Sequence, residues 1–193
     1  MVCLQLIEEY AKDNNIPIMQ KDAINFLTDF IKKNGVVTVL EIGSAIGYSA
    51  IKMSLVSKDV RVTTIERDIE RYNEAVKNIS GMGLSGQIEI INADALEYDT
   101  DCEFDLIFID AAKAQYIKFF ERFKKNLKQN GVVVSDNLEF HGLVKNPELI
   151  TNRNTRQLVK KISSYIEFLK SNKEFKTEFI SIGDGIGISR KVG

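Results

Sequence analysis

Two aspartates and an asparagine close two apolar runs of this 193-residue chain, and with a lysine just beyond one of them they could hold and use a cation. Asp110 ends FDLIFID (104–110), and Asp136 with Asn137 ends GVVVSDN (131–137). Carboxylate and amide oxygens suit a hard divalent ion such as Mg2+, which keeps water or substrate oxygens in its remaining positions; Mn2+ accepts the same donors. The plainer alternative is that the aspartates only cap the helices or loops that follow. Lys113 lies three residues beyond Asp110, one helical turn on if a helix starts there. A lysine beside such an ion can accept or share a proton, whereas on its own it would be an ordinary surface residue.

A second group of residues points to a nucleoside. Glu41-Ile42-Gly43-Ser44-Ala45-Ile46-Gly47-Tyr48-Ser49 passes from an apolar run straight into a helical pattern. Its glycines let backbone approach a ligand closely, although two glycines four apart do not make the GxGxxG of a pyrophosphate-binding loop. Glu66 ends the next run, 23 residues beyond Gly43, where an acid accepts hydrogen bonds from ribose hydroxyls. Asp94, after the third run, could reach an adenine amino group. Alone, the glycine loop could be a tight turn without a ligand; acids at successive run ends argue for a bound nucleoside.

These residues need a parallel sheet to bring them to one rim. The runs VVTVLEI (36–42), VRVTTIE (60–66), QIEIIN (87–92), FDLIFID (104–110) and GVVVSD (131–136) alternate with helical patterns, the signature of parallel strands with helices between them. Asp68 is an N-cap candidate for a helix carrying Ile69, Tyr72, Ala75, Val76 and Ile79. Residues 20–33 space Ala23, Ile24, Leu27, Phe30 and Ile31 as an amphipathic helix stopped by Gly35. After Pro147 comes a long helical pattern, then two strand patterns joined by Gly183-Asp184-Gly185, which predicts an antiparallel hairpin. The sum is an α/β fold: a seven-stranded, doubly wound, Rossmann-like sheet ending in that hairpin. Ligands of such sheets sit beyond the carboxyl ends of the strands, where strand order reverses.

Composition agrees with a single domain. The chain is 44% apolar and 27% charged, with 12 Gly, 2 Pro, 2 Cys and no Trp, which excludes disordered, collagen-like and disulfide-scaffold classes. No repeat or linker divides it, so residues 1–193 read as one domain, with a helical segment at 1–35 before a core at 36–193. The net charge of -1 gives no global pull toward nucleic acid or membrane. With no apolar run long enough to span a bilayer and acids in MVCLQLIEEYAKDN, the expectation is a cytoplasmic protein with no membrane partner. Cys3 and Cys102 lack any metal-binding grouping and read as reduced thiols.

Taken together, EIGSAIGYS (41–49), Glu66, DAAKAQY (110–116), the pair Asp136-Asn137 and Asp184-Gly185 resemble the metal-dependent S-adenosylmethionine O-methyltransferases typified by catechol and caffeoyl-CoA O-methyltransferases. The resemblance covers roughly residues 20 to 192 and implies a class I methyltransferase fold. It implies that Glu41, Gly43, Tyr48 and Ser49 surround the methionine half of S-adenosyl-L-methionine, with Glu66 at the ribose, Asp94 at the adenine and Asp110 close by. It further implies that Asp110, Asp136 and Asn137 hold Mg2+ or Mn2+, and that Lys113 is the catalytic lysine. A hydroxyl beside a second oxygen would chelate the ion in line with the donor's methyl group.

The short chain and GDG ending look most like the bacterial branch that includes tRNA 5-hydroxyuridine methyltransferase, which would make 5-methoxyuridine. A 5-hydroxyuracil sets its hydroxyl beside a carbonyl much as a catechol sets two oxygens together, so a small vicinal diol is the alternative acceptor. For tRNA, residues 151–176 carry Arg153, Arg156, Lys160, Lys161, Lys170, Lys173 and Lys176 against Glu167 and Glu174. Arg153 and Arg156 could hold phosphates near the metal, or simply solvate a helix face. His141, the only histidine, falls in a loop four residues past Asn137 and stays outside the catalytic set. Related enzymes are commonly homodimers, and the helix at 20–33 is a candidate contact. A module that binds the nucleoside without catalysis is the reading from another class.

Overall fold

The β-branched runs form the strands of one sheet in the computed structural model, which describes residues 2–192. These are β1 (Thr38–Ile42), β2 (Arg61–Glu66), β3 (Ile88–Asn92), β4 (Phe104–Ile109), β5 (Leu127–Ser135), β6 (Phe175–Ile180) and β7 (Ile186–Lys191), in the spatial order β3-β2-β1-β4-β5-β7-β6. The first five are parallel, and β7 runs antiparallel between β5 and β6. Winding proceeds outward from β1 to β2 and β3 on one side, and through β4 to β5 on the other. The reversal therefore falls between β1 and β4, the strands that lead to Gly43 and Asp110.

Both faces of the sheet are covered, because successive side chains of a strand point to opposite faces. Val39, Leu106, Phe108 and Val134 pack with the buried residues of α1 (Leu4–Asp13), α2 (Lys21–Lys33), α3 (Tyr48–Ser54) and α4 (Ile69–Gly81). Their neighbours Leu40, Ile107, Ile109 and Val133 pack on the other face with α5 (Tyr116–Phe123) and α6 (Arg153–Ser171). α2 matches the helix expected at 20–33: it buries all five of its spaced apolar residues, and Gly35 follows at φ +62°. That stripe is used inside the chain's own core. Asp68 caps α4 as expected, accepting from the amides of Glu70 and Arg71 at 3.0 Å each.

Three features differ from the sequence reading. α1 is a separate helix, seated by Ile7 and Ala11 one turn apart. β5 starts at Leu127 rather than 131, its pairing with β4 shifting between Phe104 and Leu106. After Asp110 the chain makes a single 3-10 turn at Lys113–Gln115 before α5 begins. At the opposite end of the sheet, the Asp105 carboxylate ties β4 to the start of β1. It accepts from the Val37 amide at 3.0 Å, the Thr38 amide at 2.8 Å and the Thr38 hydroxyl at 2.9 Å, and pairs with Lys128 at 3.0 Å. No helix among the described residues is long and apolar enough to cross a membrane.

Candidate active site

The carboxyl ends of β1, β2, β3, β4 and β5 open into one cleft of about 660 Å³. Gly43, Tyr48, Ser49, Glu66, Asp94, Asp110, Lys113, Asp136 and Asn137 all line it. Glu41 does not. It lies wholly buried beside β2, where the Thr64 hydroxyl donates to Oε2 at 2.5 Å and Oε1 has no partner. Burial pushes its carboxyl up to about 7, with the charges of Asp110 and Glu66 adding to the rise against the hydroxyls of Ser49 and Thr64. It misses the cleft because it lies inside β1 with its side chain wholly buried, whereas Ile42 at the strand's end and Gly43 beyond it reach the rim.

The loop after β1 is shaped by close approach. Gly43 has φ +94°, and a Cβ there would collide with the Asp110 carbonyl and stand 3.0 Å from the Ala111 Cβ, so only glycine lets β1 and β4 exit side by side. The Glu66 carboxylate binds this loop to β2, Oε2 accepting from the Ala45 amide at 2.9 Å and Oε1 from the Asp68 amide at 2.9 Å. Each oxygen keeps acceptor capacity for a further donor. Asp94 accepts from the Leu96 amide at 2.9 Å, and its other oxygen stands 3.8 Å from the Arg67 guanidinium.

Across the cleft, the Lys113 ammonium lies 3.2 Å from Asp110 Oδ1 and also donates to Asn137 Oδ1. Its charge sits 5.6 Å from the centre of the Tyr116 ring. Asp136 is 1% exposed, and its Oδ1 has no partner. Burial, then the neighbouring Asp110 charge, pushes its carboxyl up to about 7. Among the described residues no three His, Cys, Asp or Glu side chains gather as a metal site; the third donor here is the Asn137 amide. The set nevertheless fits a hard cation. One positive group already reaches Asp110 and Asn137 at once, and a second would supply the buried Asp136 oxygen with the partner it lacks.

The sequence reading missed what holds Asn137 in place. Asn137, Phe140 and His141 all have positive φ, and this loop is docked on the turn between β6 and β7. The Leu138 amide donates to the Gly185 carbonyl at 2.9 Å and the Glu139 amide to the Asp184 carbonyl at 2.7 Å; the buried Asp184 carboxylate accepts from the His141 amide. The signal available was an acid between two glycines at the end of a hairpin. His141 lines the cleft with Nδ1 3.7 Å from Asp184, beyond hydrogen-bond range. Arg153 and Arg156 do not line the cleft. Arg156 instead donates to the Ile150 carbonyl at 3.0 Å, and Asn152 caps α6 through the Thr155 amide.

A sheet of this strand order, with a nucleoside-sized cleft at its reversal point, defines a class I methyltransferase fold. The chain belongs to the O-methyltransferase family, whose model matches residues 1–192. It is 30% identical over 177 residues to a caffeoyl-CoA O-methyltransferase-type protein of Arabidopsis thaliana, covering 89% of this chain and 76% of that one. It is 29% identical over 180 residues to the caffeoyl-CoA O-methyltransferase of Populus kitakamiensis, with 89% and 77% covered. A Staphylococcus aureus protein assigned to the caffeoyl-CoA O-methyltransferases superposes with TM-score 0.94 at 38% identity, over 100% of this chain and 93% of that one. The O-methyltransferase of Bacillus cereus, solved with S-adenosylhomocysteine, superposes with TM-score 0.82 at 25% identity, over 98% and 90%. The chain is thus an S-adenosylmethionine-dependent O-methyltransferase of the caffeoyl-CoA type.

Proposed function

We propose that this chain methylates a hydroxyl that has a second oxygen beside it, using a divalent cation, Mg2+ or Mn2+, held by Asp110, Asp136 and Asn137. The observation that carries this is the convergence of Asp110 and Asn137 on one ammonium, next to a buried carboxylate oxygen with no partner. When bound, the ion supplies charge that stabilises an oxyanion, and the donor supplies a methyl group on a sulfonium. The chain's own residues do the rest. Gly43, Tyr48 and Ser49 wall the donor half of the cleft, Glu66 offers its oxygens to ribose hydroxyls, and Asp94 stands at the adenine end. As the neutral amine, its extra proton given up to solvent once the cation takes its place between Asp110 and Asn137, Lys113 would take the acceptor's proton at Nζ. Orientation is the main contribution, since two reactants fixed on one rigid rim meet at high effective concentration.

The acceptor best supported is a small vicinal diol, the kind of substrate the names of its plant relatives denote. The basic residues of α6 and its flanks favour a second reading, 5-hydroxyuridine in tRNA. Metal dependence is tested by turnover on a dihydroxylated aromatic after chelation and after restoring Mg2+ or Mn2+. Asp136→Ala is expected to abolish transfer while S-adenosylhomocysteine still binds; turnover retained in excess chelator would refute the proposal. Mass spectrometry of tRNA nucleosides from a strain lacking the protein decides the acceptor. Accumulated 5-hydroxyuridine with lost 5-methoxyuridine would establish the tRNA reading, and an unchanged profile would end it.

A further inference from the structure

The N-terminal helices do more than complete the core. Pro17, Ile18, Met19 and Gln20, in the connector between α1 and α2, form one wall of the cleft. Among the described residues, the backbone of 4–20 makes hydrogen bonds only within the N-terminal helices and their caps. Ile7, Ala11 and Met19 hold this strap by apolar burial, which is strong but non-directional. One directed bond joins it to the rest of the cleft. The Tyr48 hydroxyl donates to Glu8 Oε1 at 2.8 Å, while Glu8 Oε2 pairs with Lys21 at 3.0 Å. Lys21 is largely exposed, so its pairing adds little. Tyr48 is different: it is buried, it opens α3 beside Ser49, and it also lines the cleft. A single side chain therefore touches both the donor loop and the strap.

We propose that Glu8 and the Tyr48 hydroxyl form a latch that positions the strap over the methyl donor, so that strap order and donor retention are coupled. This rests on the donor occupying the half of the cleft walled by Gly43, Tyr48 and Glu66. The bond keeps the states it needs. Tyr48, then Lys21, hold the Glu8 carboxyl below the usual range, and burial followed by Glu8 pushes the Tyr48 phenol up. Glu8 is a positioning residue: it acts on the donor only through Tyr48 and the connector.

The test uses the full chain and S-adenosylhomocysteine. Tyr48→Phe removes only the hydroxyl, and Glu8→Ala removes the acceptor from a helix that does not itself line the cleft. Each is expected to weaken binding about tenfold by calorimetry, chiefly through faster dissociation, as loss of a charge-assisted hydrogen bond would do. The double variant should bind no more weakly than either single one. Hydrogen exchange in the unliganded protein should rise over 4–20 and not in β1 or β4, and in Glu8→Ala the KM for the donor should rise without a fall in kcat. Unchanged affinity in both variants, additive losses in the double variant, or unaltered exchange over 4–20 would overturn the latch. Failure of the wild-type chain to bind S-adenosylhomocysteine would overturn the donor reading, and the latch with it.

Discussion

The substitution Glu41→Gln should make the protein gain stability relative to wild type as the pH rises, by an amount that follows from the burial of Glu41. This residue is wholly enclosed, with Thr64 donating to one oxygen and nothing to the other, and its carboxyl titrates at about 7 instead of its ordinary 4.5. An acid whose value is raised on folding holds its proton in the folded chain after the unfolded chain has released it. Stability is therefore fully present below 4.5, falls as pH rises through the window up to about 7, and is level above that. At about 1.36 kcal/mol per pH unit, the window from 4.5 to about 7 is worth about 3 kcal/mol, of which about 2 kcal/mol remains to be lost above about pH 5.5. The glutamine amide does not ionise in this range. Asp136 titrates in the same range, but in both proteins, so the difference between them isolates Glu41. Urea denaturation followed by circular dichroism at about pH 5.5 and about pH 8 should show the variant gaining about 2 kcal/mol on wild type across that interval. An equal difference at both pH values, or a movement in the opposite sense, would refute the reasoning.

Gly43→Ala would put a Cβ against the Asp110 carbonyl at φ +94°, and a cost of about 2 kcal/mol or more is expected from thermal denaturation, with S-adenosylhomocysteine affinity lost in calorimetry. Asp105→Ala removes the anchor at the foot of β1 and should cost about 2–3 kcal/mol in denaturant unfolding. Burial there opposes ionisation, but Lys128 and the donors of Val37 and Thr38 outweigh it and hold the carboxyl below its ordinary 3.8. The stabilisation is thus present above about 3.8 and lost as the pH falls through the folded value. Lys113→Met should lower kcat by roughly 10²- to 10⁴-fold in a methyl-transfer assay while S-adenosylhomocysteine binds as in wild type; a kcat within a few-fold of wild type would remove Lys113 from the proton's path.

Local rules carried much of this protein's description. Strand runs are marked by β-branched residues, α2 and α4 by apolar spacing and a capping Asp68, and the loop after β1 by Gly43 and Gly47, each a property of a few adjacent residues. Their alternation made a parallel sheet the expected arrangement, and a parallel sheet gathers strand ends on one rim. Spacing along the chain could not say which side chains meet there. Lys113 bridges Asp110 and Asn137, 24 residues away, because β4 and β5 lie side by side and end level. Glu41 turned inward for a reason of the same kind: its face of β1 is set by pairing with β2 and β4. The docking of Glu139 and His141 on Asp184, and of Glu8 on Tyr48, joins segments about 40 residues apart or more in sequence. Such meetings are decided by lateral strand order and by how helices seat on a sheet, and these minimise free energy over the whole core rather than over any one run.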